Sequence, residues 1–402
     1  MNSPAERAAV PKEPVLSARW LARPAKRARP AGAGNASRPY RFFWARNAIY
    51  HSLRALGVVA DDQVLVPAYI CAAAVEPIAA YGAKPVFYRI ARDGSAELAD
   101  VEARITPRTR AVLAVHFFGF PSDIRAFRAL CDRRRLFLIE DCAHVLHGEV
   151  DGRPLGSFGD ASVFSWRKLL PLENGGELFL NGGQRELRVD WSRESLPFTL
   201  KVAKDLFDRY AESGHHPVLR AFSRSLGSAK RVVVRRTDSA SGPAPLHAAE
   251  STSDSFIPAL VNQPMSRVSR FLLDRFDIAR VAAQRRANYL HLHERLSRVE
   301  GVQSFFSAPP EGVCPWVFPA VFENQANAHR LLRRLGIPAV SWDDVKPAGF
   351  SERMFPDAEF LYQNLVFLPV HQDLEEKHLD AIAEAALAVR ERAPGRPLAA
   401  AL

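Results

Sequence analysis

From about residue 40 onward, short apolar runs alternate with stretches whose apolar residues recur at helical spacing. Asn47 to Leu56 reads as a helix closed by Gly57, and Cys71–Ala80 as a second one stopped by Gly82. Val64–Val66 is a short apolar strand cut off by Pro67. Pro85–Ile90, Ala111–Val115, Leu136–Ile139, Ser162–Ser165 and Glu177–Leu180 read as further strands, and Asp123–Arg134 as a basic helix between two of them. Strands spaced by helices imply βαβ units and a mostly parallel sheet, buried on both faces. Ligands of such sheets gather outside the carboxyl ends of the strands. His116, Asp141 and Ser165 fall at or just after such ends.

The rhythm breaks between 190 and 255. Phe198–Tyr210 has the spacing of an amphipathic helix, whereas Ser239–Ser255, rich in Ser, Ala and Pro, reads as a flexible loop. Regularity returns near Asn262. Phe271–Leu296 has the spacing of one long helix. A strand Val317–Phe322, a helix around Ala328–Leu335, a strand Leu365–Leu368 and an Ala-rich helix Asp380–Arg390 follow. The expected organisation is a basic tail (1–38), poorly ordered at least in part, a large α/β domain (39–265) with an insertion (190–255), and a smaller C-terminal α+β domain (266–395).

With 402 residues, 48% of them hydrophobic, the chain has more core-forming material than one small domain needs. No apolar run approaches the ~18 residues of a membrane helix, and the N-terminus lacks the apolar region of a secretory signal. Cys71, Cys131, Cys142 and Cys314 lie far apart with no CxxC pair. That speaks against a zinc site or a disulfide scaffold, and for a reducing cytoplasm. The net charge of +10 is uneven, concentrated in residues 1–38 and around Lys230, Arg231, Arg235 and Arg236. Neither stretch shows the aromatic interleaving of a nucleic-acid face, so a solvated tail and loop is the favoured reading. A basic chain also attracts phosphorylated small molecules.

The strongest chemical constellation is Ile139-Glu140-Asp141-Cys142-Ala143-His144, then Phe164-Ser165-Trp166-Arg167-Lys168, then Gly175-Gly176. A carboxylate at a buried strand end is costly without a partner, and a protonated pyridine nitrogen is such a partner. A nearby lysine can bond covalently to an aldehyde. An acid plus a lysine is what pyridoxal 5'-phosphate (PLP) requires. On bare spacing the other reading, Asp141 capping a helix and Lys168 on a surface loop, is the commoner one. His116 and His371 read as satisfied core histidines more readily than as ligand contacts. His215-His216 reads as loop rather than metal site, Cys142 as packing, and Trp316 and Trp342 as core.

The stretch from Phe42 to Gly176 resembles the DegT family of PLP-dependent sugar aminotransferases. The pieces are Ala45-Arg46-Asn47-Ala48-Ile49, Val66-Pro67-Ala68-Tyr69, Tyr81-Gly82-Ala83-Lys84-Pro85, Ile105-Thr106-Pro107, Val115-His116-Phe117-Phe118-Gly119, the Asp141 segment and Gly156-Ser157-Phe158-Gly159-Asp160. Asn262-Gln263-Pro264-Met265-Ser266 and Leu368-Pro369-Val370-His371 extend it. The resemblance implies the type I PLP-transferase fold, with a seven-stranded sheet flanked by helices. It implies that Lys168 holds PLP covalently and that Asp141 pairs with the ring nitrogen. His144 then sits beside the ring oxygen, where the family usually has Gln. Arg46 and Asn47 fall on the turn whose amides hold the phosphate, a helix start that favours anions. Ser165 matches a phosphate-binding hydroxyl, and Cys71 the position of a residue stacking on the ring. Asn262 matches a residue reaching the neighbouring subunit's phosphate, which makes a homodimer the expected assembly. Ser165 and Lys168 are three positions apart where the family usually has five.

The implied activity is transfer of an amino group from an amino acid, glutamate by resemblance, to a keto sugar, carried on a nucleotide, in polysaccharide or secondary-metabolite biosynthesis. A sugar dehydratase on the same fold, and a non-catalytic binding member, are the rivals. No metal, membrane or nucleic acid is expected as a partner.

Overall fold

The computed structural model describes residues 10–21, 38–181, 185–212 and 256–391. Its first half is a sheet built from β1 (Tyr40–Phe42), β2 (Gln63–Pro67), β3 (Lys84–Tyr88), β4 (Thr109–Val115), β5 (Phe137–Cys142), β8 (Ala161–Ser165) and β9 (Gly176–Leu180). A small hairpin, β6 (Glu149–Val150) and β7 (Arg153–Pro154), lies between β5 and β8. The spatial order of the large sheet is β1-β9-β8-β5-β4-β2-β3. The pairs β8/β5, β5/β4, β4/β2 and β2/β3 are parallel; β9 runs antiparallel to both its neighbours. The central strands read as unbroken apolar runs because both faces are covered, and Val112, Leu113, Leu138, Ile139 and Val163 are completely buried.

The first helices are α1 (Ala45–Ala55), α2 (Ala72–Tyr81), α3 (Leu98–Ala103) and α4 (Ile124–Arg134). Two boundaries are legible: Gly82 ends α2 in the left-handed region (φ 96°), and the Asp123 side chain caps the start of α4 by accepting from the Ala126 amide. The expected helix in the insertion forms as α5 (Leu196–Glu212), which buries Val202, Leu206 and Ala211. Ser239–Ser255 and His215-His216 lie outside the described residues.

Two expectations are corrected. The single helix over Phe271–Leu296 is two, α6 (Arg267–Leu273) and α7 (Ile278–Leu296). Asp277 breaks the run because its carboxylate caps α7 at the Arg280 amide, and its own amide donates to the Trp20 carbonyl 2.8 Å away. The second correction concerns the tail. Residues 10–21 are packed against the rest of the chain, with Val10, Val15 and Trp20 buried, because apolar side chains are spaced among the charges. The rest of the tail lies outside the described residues.

The C-terminal part is a three-stranded antiparallel sheet of β10 (Val302–Ser304), β11 (Val317–Phe322) and β12 (Leu365–Pro369). It is joined by α8 (Ala328–Arg334), α9 (Pro356–Asn364) and α10 (Glu376–Glu391). Its core is continuous with that of the large sheet. Among the described residues no helix is long and apolar enough to cross a membrane.

Candidate active site

The carboxyl ends of β4, β5 and β8 open into a cavity of about 690 Å³. Arg46, Cys71, Asp141, His144, Ser165 and Lys168 all line it. Six of the eight residues singled out from the sequence are thus brought together. Asn47 and Asn262 are not. The Asn47 amide group donates to the carbonyls of Leu260 and Val261, and Asn262 Oδ1 lies 3.1 Å from His51 Nε2.

Lys168 ends a 3₁₀ turn, Trp166–Lys168, directly after β8. The Trp166 amide donates to the Gly175 carbonyl at 2.8 Å, which ties the turn to the glycine pair. Gly176 in turn lies against the start of α1, where a Cβ would come within 2.3 Å of the Trp44 carbonyl group. Glycine is needed there because backbone meets backbone. The pair therefore docks the lysine turn onto the helix that carries Arg46. On the other side, fully buried Arg285 donates to the carbonyls of Leu169 and Trp316 and to Gln372 Oε1, at 2.8 to 2.9 Å. Burial pushes its guanidinium down to about 10, with Cys314 and Asp373 pulling the other way.

Asp141, at the end of β5, accepts from the Ala143 amide at 2.9 Å through Oδ1. Burial raises its pKa, and the Lys168 charge opposes that rise. The pKa of Lys168 is lowered, first by burial and then by the Arg167 and Arg46 charges; Cys71 and Asp141 act the other way. A raised acid and a lowered amine in one cleft mark a functional site.

His144 is a hydrogen-bond partner of that amine. Its Nδ1 accepts the Phe118 amide at 3.2 Å, so that nitrogen carries no proton. Nε2 lies 3.0 Å from Lys168 Nζ. A neutral imidazole then has its proton on Nε2, and Nε2–H donates to the lone pair of Nζ. An ammonium in that place would have to face a ring with no proton at all. Burial holds the His144 pKa well below its ordinary value, so the ring stays neutral. The Phe118 amide is aimed by a left-handed backbone (φ 58°), a conformation that costs a non-glycine residue about 1 kcal/mol or more. The ring is stacked on Trp316, centroids 4.2 Å apart, and Lys168 Nζ sits 4.9 Å from the Trp316 ring centre.

Trp316 and Trp342 both line the cavity, where core packing was the favoured reading. Both are large apolar residues with no local sign of exposure to a ligand, so only the fold reveals the role. His116 is the satisfied histidine expected: Nδ1 accepts the Ser122 amide and Nε2 meets Glu140 Oε2 at 3.2 Å. His371 does line the cavity, yet its Nε2 donates to the Pro11 carbonyl. The sequence reading missed Arg167, half-buried beside Lys168 and lowered to about 10 by burial and the Arg46 charge, and the cavity-lining residues Lys12, Glu13, Pro14, Arg209 and Arg285. Adjacency to Lys168 was the available signal for Arg167; the others are distant in sequence.

Residues 45–190 match the model of the DegT/DnrJ/EryC1/StrS aminotransferase family. A GDP-perosamine synthase of Vibrio cholerae is 41% identical over 30% of this chain and 33% of its own length. A UDP-N-acetyl-3-dehydro-alpha-D-glucosamine 3-aminotransferase of Acidithiobacillus ferrooxidans is 39% identical over 30% of this chain and 33% of its own. The matched stretch thus spans about a third of these relatives. Among solved structures, the aminotransferase TlmJ from Streptoalloteichus hindustanus superposes with a TM-score of 0.61 at 20% identity, covering 87% of this chain and 85% of that one. The PLP form of Spr1654 from Streptococcus pneumoniae gives 0.63 at 17%, covering 89% and 88%. The fold is therefore that of the PLP aminotransferases.

Proposed function

We propose that this chain, related to the DegT/DnrJ/EryC1/StrS aminotransferase family through residues 45–190, is a PLP-dependent aminotransferase acting on a keto sugar. The observation that carries the proposal is the sharing of one cavity by Lys168, its amine 3.0 Å from His144 and its pKa lowered by burial, and the buried Asp141.

The residues present fit the cofactor. Asp141 would hold the ring nitrogen, Lys168 the aldehyde carbon, and Ser165, Arg46 and the start of α1 the phosphate. PLP, when bound, supplies an aldehyde for amines and a protonated ring that accepts electrons. The chain supplies the rest. Burial raises the pKa of Asp141, so a cationic partner is what keeps it ionised. His144, fixed by Phe118, keeps a lone pair on Lys168 Nζ, first as nucleophile and later to accept and return a proton. The stacked rings of His144, Trp316 and Phe118 exclude water from one side of the amine.

The amino donor in this reading is an amino acid such as glutamate, and the acceptor a nucleotide-linked sugar. Cations on the cavity wall, Arg46 and Arg167 among them, suit an anionic acceptor. We read the chain as a large domain (39–265) and a small one (266–395). We also propose a cytoplasmic homodimer. The four unpaired cysteines suit a reducing compartment. Leu196, Leu200 and Phe207 of α5, with Phe271 of α6, form exposed apolar surface of the kind a second copy covers.

The test is covalent. Purified protein is expected to absorb in the visible, and borohydride is expected to fix the cofactor mass on the peptide containing Lys168. Lys168→Ala is expected to lose the fixed mass and all transamination from glutamate. A colourless protein that ignores added PLP, or label on another lysine, overturns the reading.

A further inference from the structure

The segment Val10–Leu21 contributes Lys12, Glu13 and Pro14 to the lining of the cavity. Its attachments converge on one loop, the residues following β12. Asp373 alone accepts from three strap donors. These are the Val15 amide (2.9 Å to Oδ2), the Trp20 indole N–H (2.8 Å to Oδ1) and the Arg19 guanidinium. Two residues earlier, His371 Nε2 donates to the Pro11 carbonyl at 3.0 Å. Its Nδ1 accepts the Asp373 amide at 3.3 Å, so the proton on Nε2 is fixed by the same logic as in His144.

A second grip comes from α5. Arg209 pairs with Glu13 Oε2 at 3.2 Å and with Glu173, so the strap is joined to the helix of the insertion. A third lies at the far end: the Asp277 amide donates to the Trp20 carbonyl, and Leu21 bridges to Phe276. Trp20 is buried in the apolar cluster that also contains Phe276 and Trp166, the first residue of the lysine turn. Between His371 and Asp373 stands Gln372, which donates to the Leu169 carbonyl and accepts from Arg285. One short loop therefore holds both the strap and the backbone next to Lys168.

A buried carboxylate with three charge-assisted or ladder-like hydrogen bonds is a specific clasp, because each donor left without it would be stranded. From these contacts we propose that Val10–Leu21 is a built-in wall of the substrate site, clasped by Asp373, with Lys12 and Glu13 bordering the acceptor. The strap excludes bulk water from the amine of Lys168 and sets the outer limit of what the cavity admits. The identity of the occupant rests on the aminotransferase reading; the closure does not.

Cys71 reports closure directly. It lines the cavity and is half-buried, while Cys131, Cys142 and Cys314 are buried elsewhere and serve as internal controls. The measurement is the rate of N-ethylmaleimide labelling at each cysteine, read by mass spectrometry on full-length protein dialysed free of small ligands. Val15→Pro removes one clasp donor on the strap itself, and Asp373→Ala removes the acceptor. The expected result is labelling of Cys71 at least tenfold faster in both variants, with the other three cysteines as unreactive as in the parent. A Cys71 rate in Val15→Pro equal to the parent's overturns the proposal. So does a rise at all four cysteines together in that variant, since Val15 would then support the whole fold rather than close the cavity. Labelling needs neither cofactor nor turnover, so its outcome is separable from that of the borohydride experiment.

Discussion

At Lys168 the decisive contact is with a neutral ring. The Phe118 amide occupies His144 Nδ1, leaving the Nε2 proton to the lysine lone pair. That hydrogen bond is made to the free amine, so it favours the neutral form, in the same direction as the burial that lowers the lysine pKa. Removing it has a readable sign. His144→Phe keeps an aromatic ring on Trp316 but supplies no donor, so the lysine pKa rises. The acid limb of the pH–rate profile is expected to move to higher pH by about one unit, the worth of one net hydrogen bond. His144→Gln, which keeps a donor, is expected to move it less. A limb that stays in place in His144→Phe shows that the ring does not govern the amine. Asp141 was legible as an acid at a strand end, and its place in one site with Lys168 followed from the family resemblance; the histidine's contact with the lysine was not legible. It depends on a left-handed turn at Phe118 that places an amide from 26 positions away.

Elements place these groups with little slack. The lysine turn, β9 and the start of α1 meet at Gly175-Gly176 without room for a side chain at the second glycine. Gly176→Ala puts a methyl into the Trp44–Ala45 backbone, so α1 must shift away from the sheet. The expected cost is about 1–3 kcal/mol of stability, with weakened cofactor retention because Arg46 moves with the helix. A thermal melt paired with visible absorbance checks both. An unchanged melt and full absorbance would show that the contact is slack. At this scale the sequence was a good guide wherever a boundary signal was local, as at the stop Gly82 and the N-cap Asp123. It failed at Asp274–Asp277, where apolar spacing runs straight through a break capped by Asp277 and pinned by Trp20 from another part of the chain.

The whole molecule keeps several histidines buried and neutral, and this makes its stability depend on pH. Burial lowers His51 and His371 to about 4, and His144 moves the same way. In the unfolded chain all three titrate near 6.5. Below that value the unfolded state binds more protons than the folded one, so stability is present above about 6.5 and is lost as pH falls toward 4. Each of His51 and His371 accounts for at most about 3 kcal/mol of this change. Asp141 and Glu177, raised by burial, pull the other way toward the acid end. Denaturant unfolding at pH 7, 6 and 5 is expected to show falling stability, with the larger drop between 6 and 5. A flat profile would mean that these rings are solvated.

The chain order of strands, helices and stop residues determined the parallel sheet, and the strand-end rule pointed to Asp141 and Ser165 before any contact was known. Those features are local: apolar runs, caps and glycines act within a few residues. Tertiary structure alone decided which groups meet. The Lys12–Pro14 wall and the clasp of Asp373 join residues about 360 positions apart, and Arg285 reaches the lysine turn from a helix more than 100 positions away. Hydrogen bonds between such distant partners leave no periodic trace in sequence, because their geometry exists only once the core has closed.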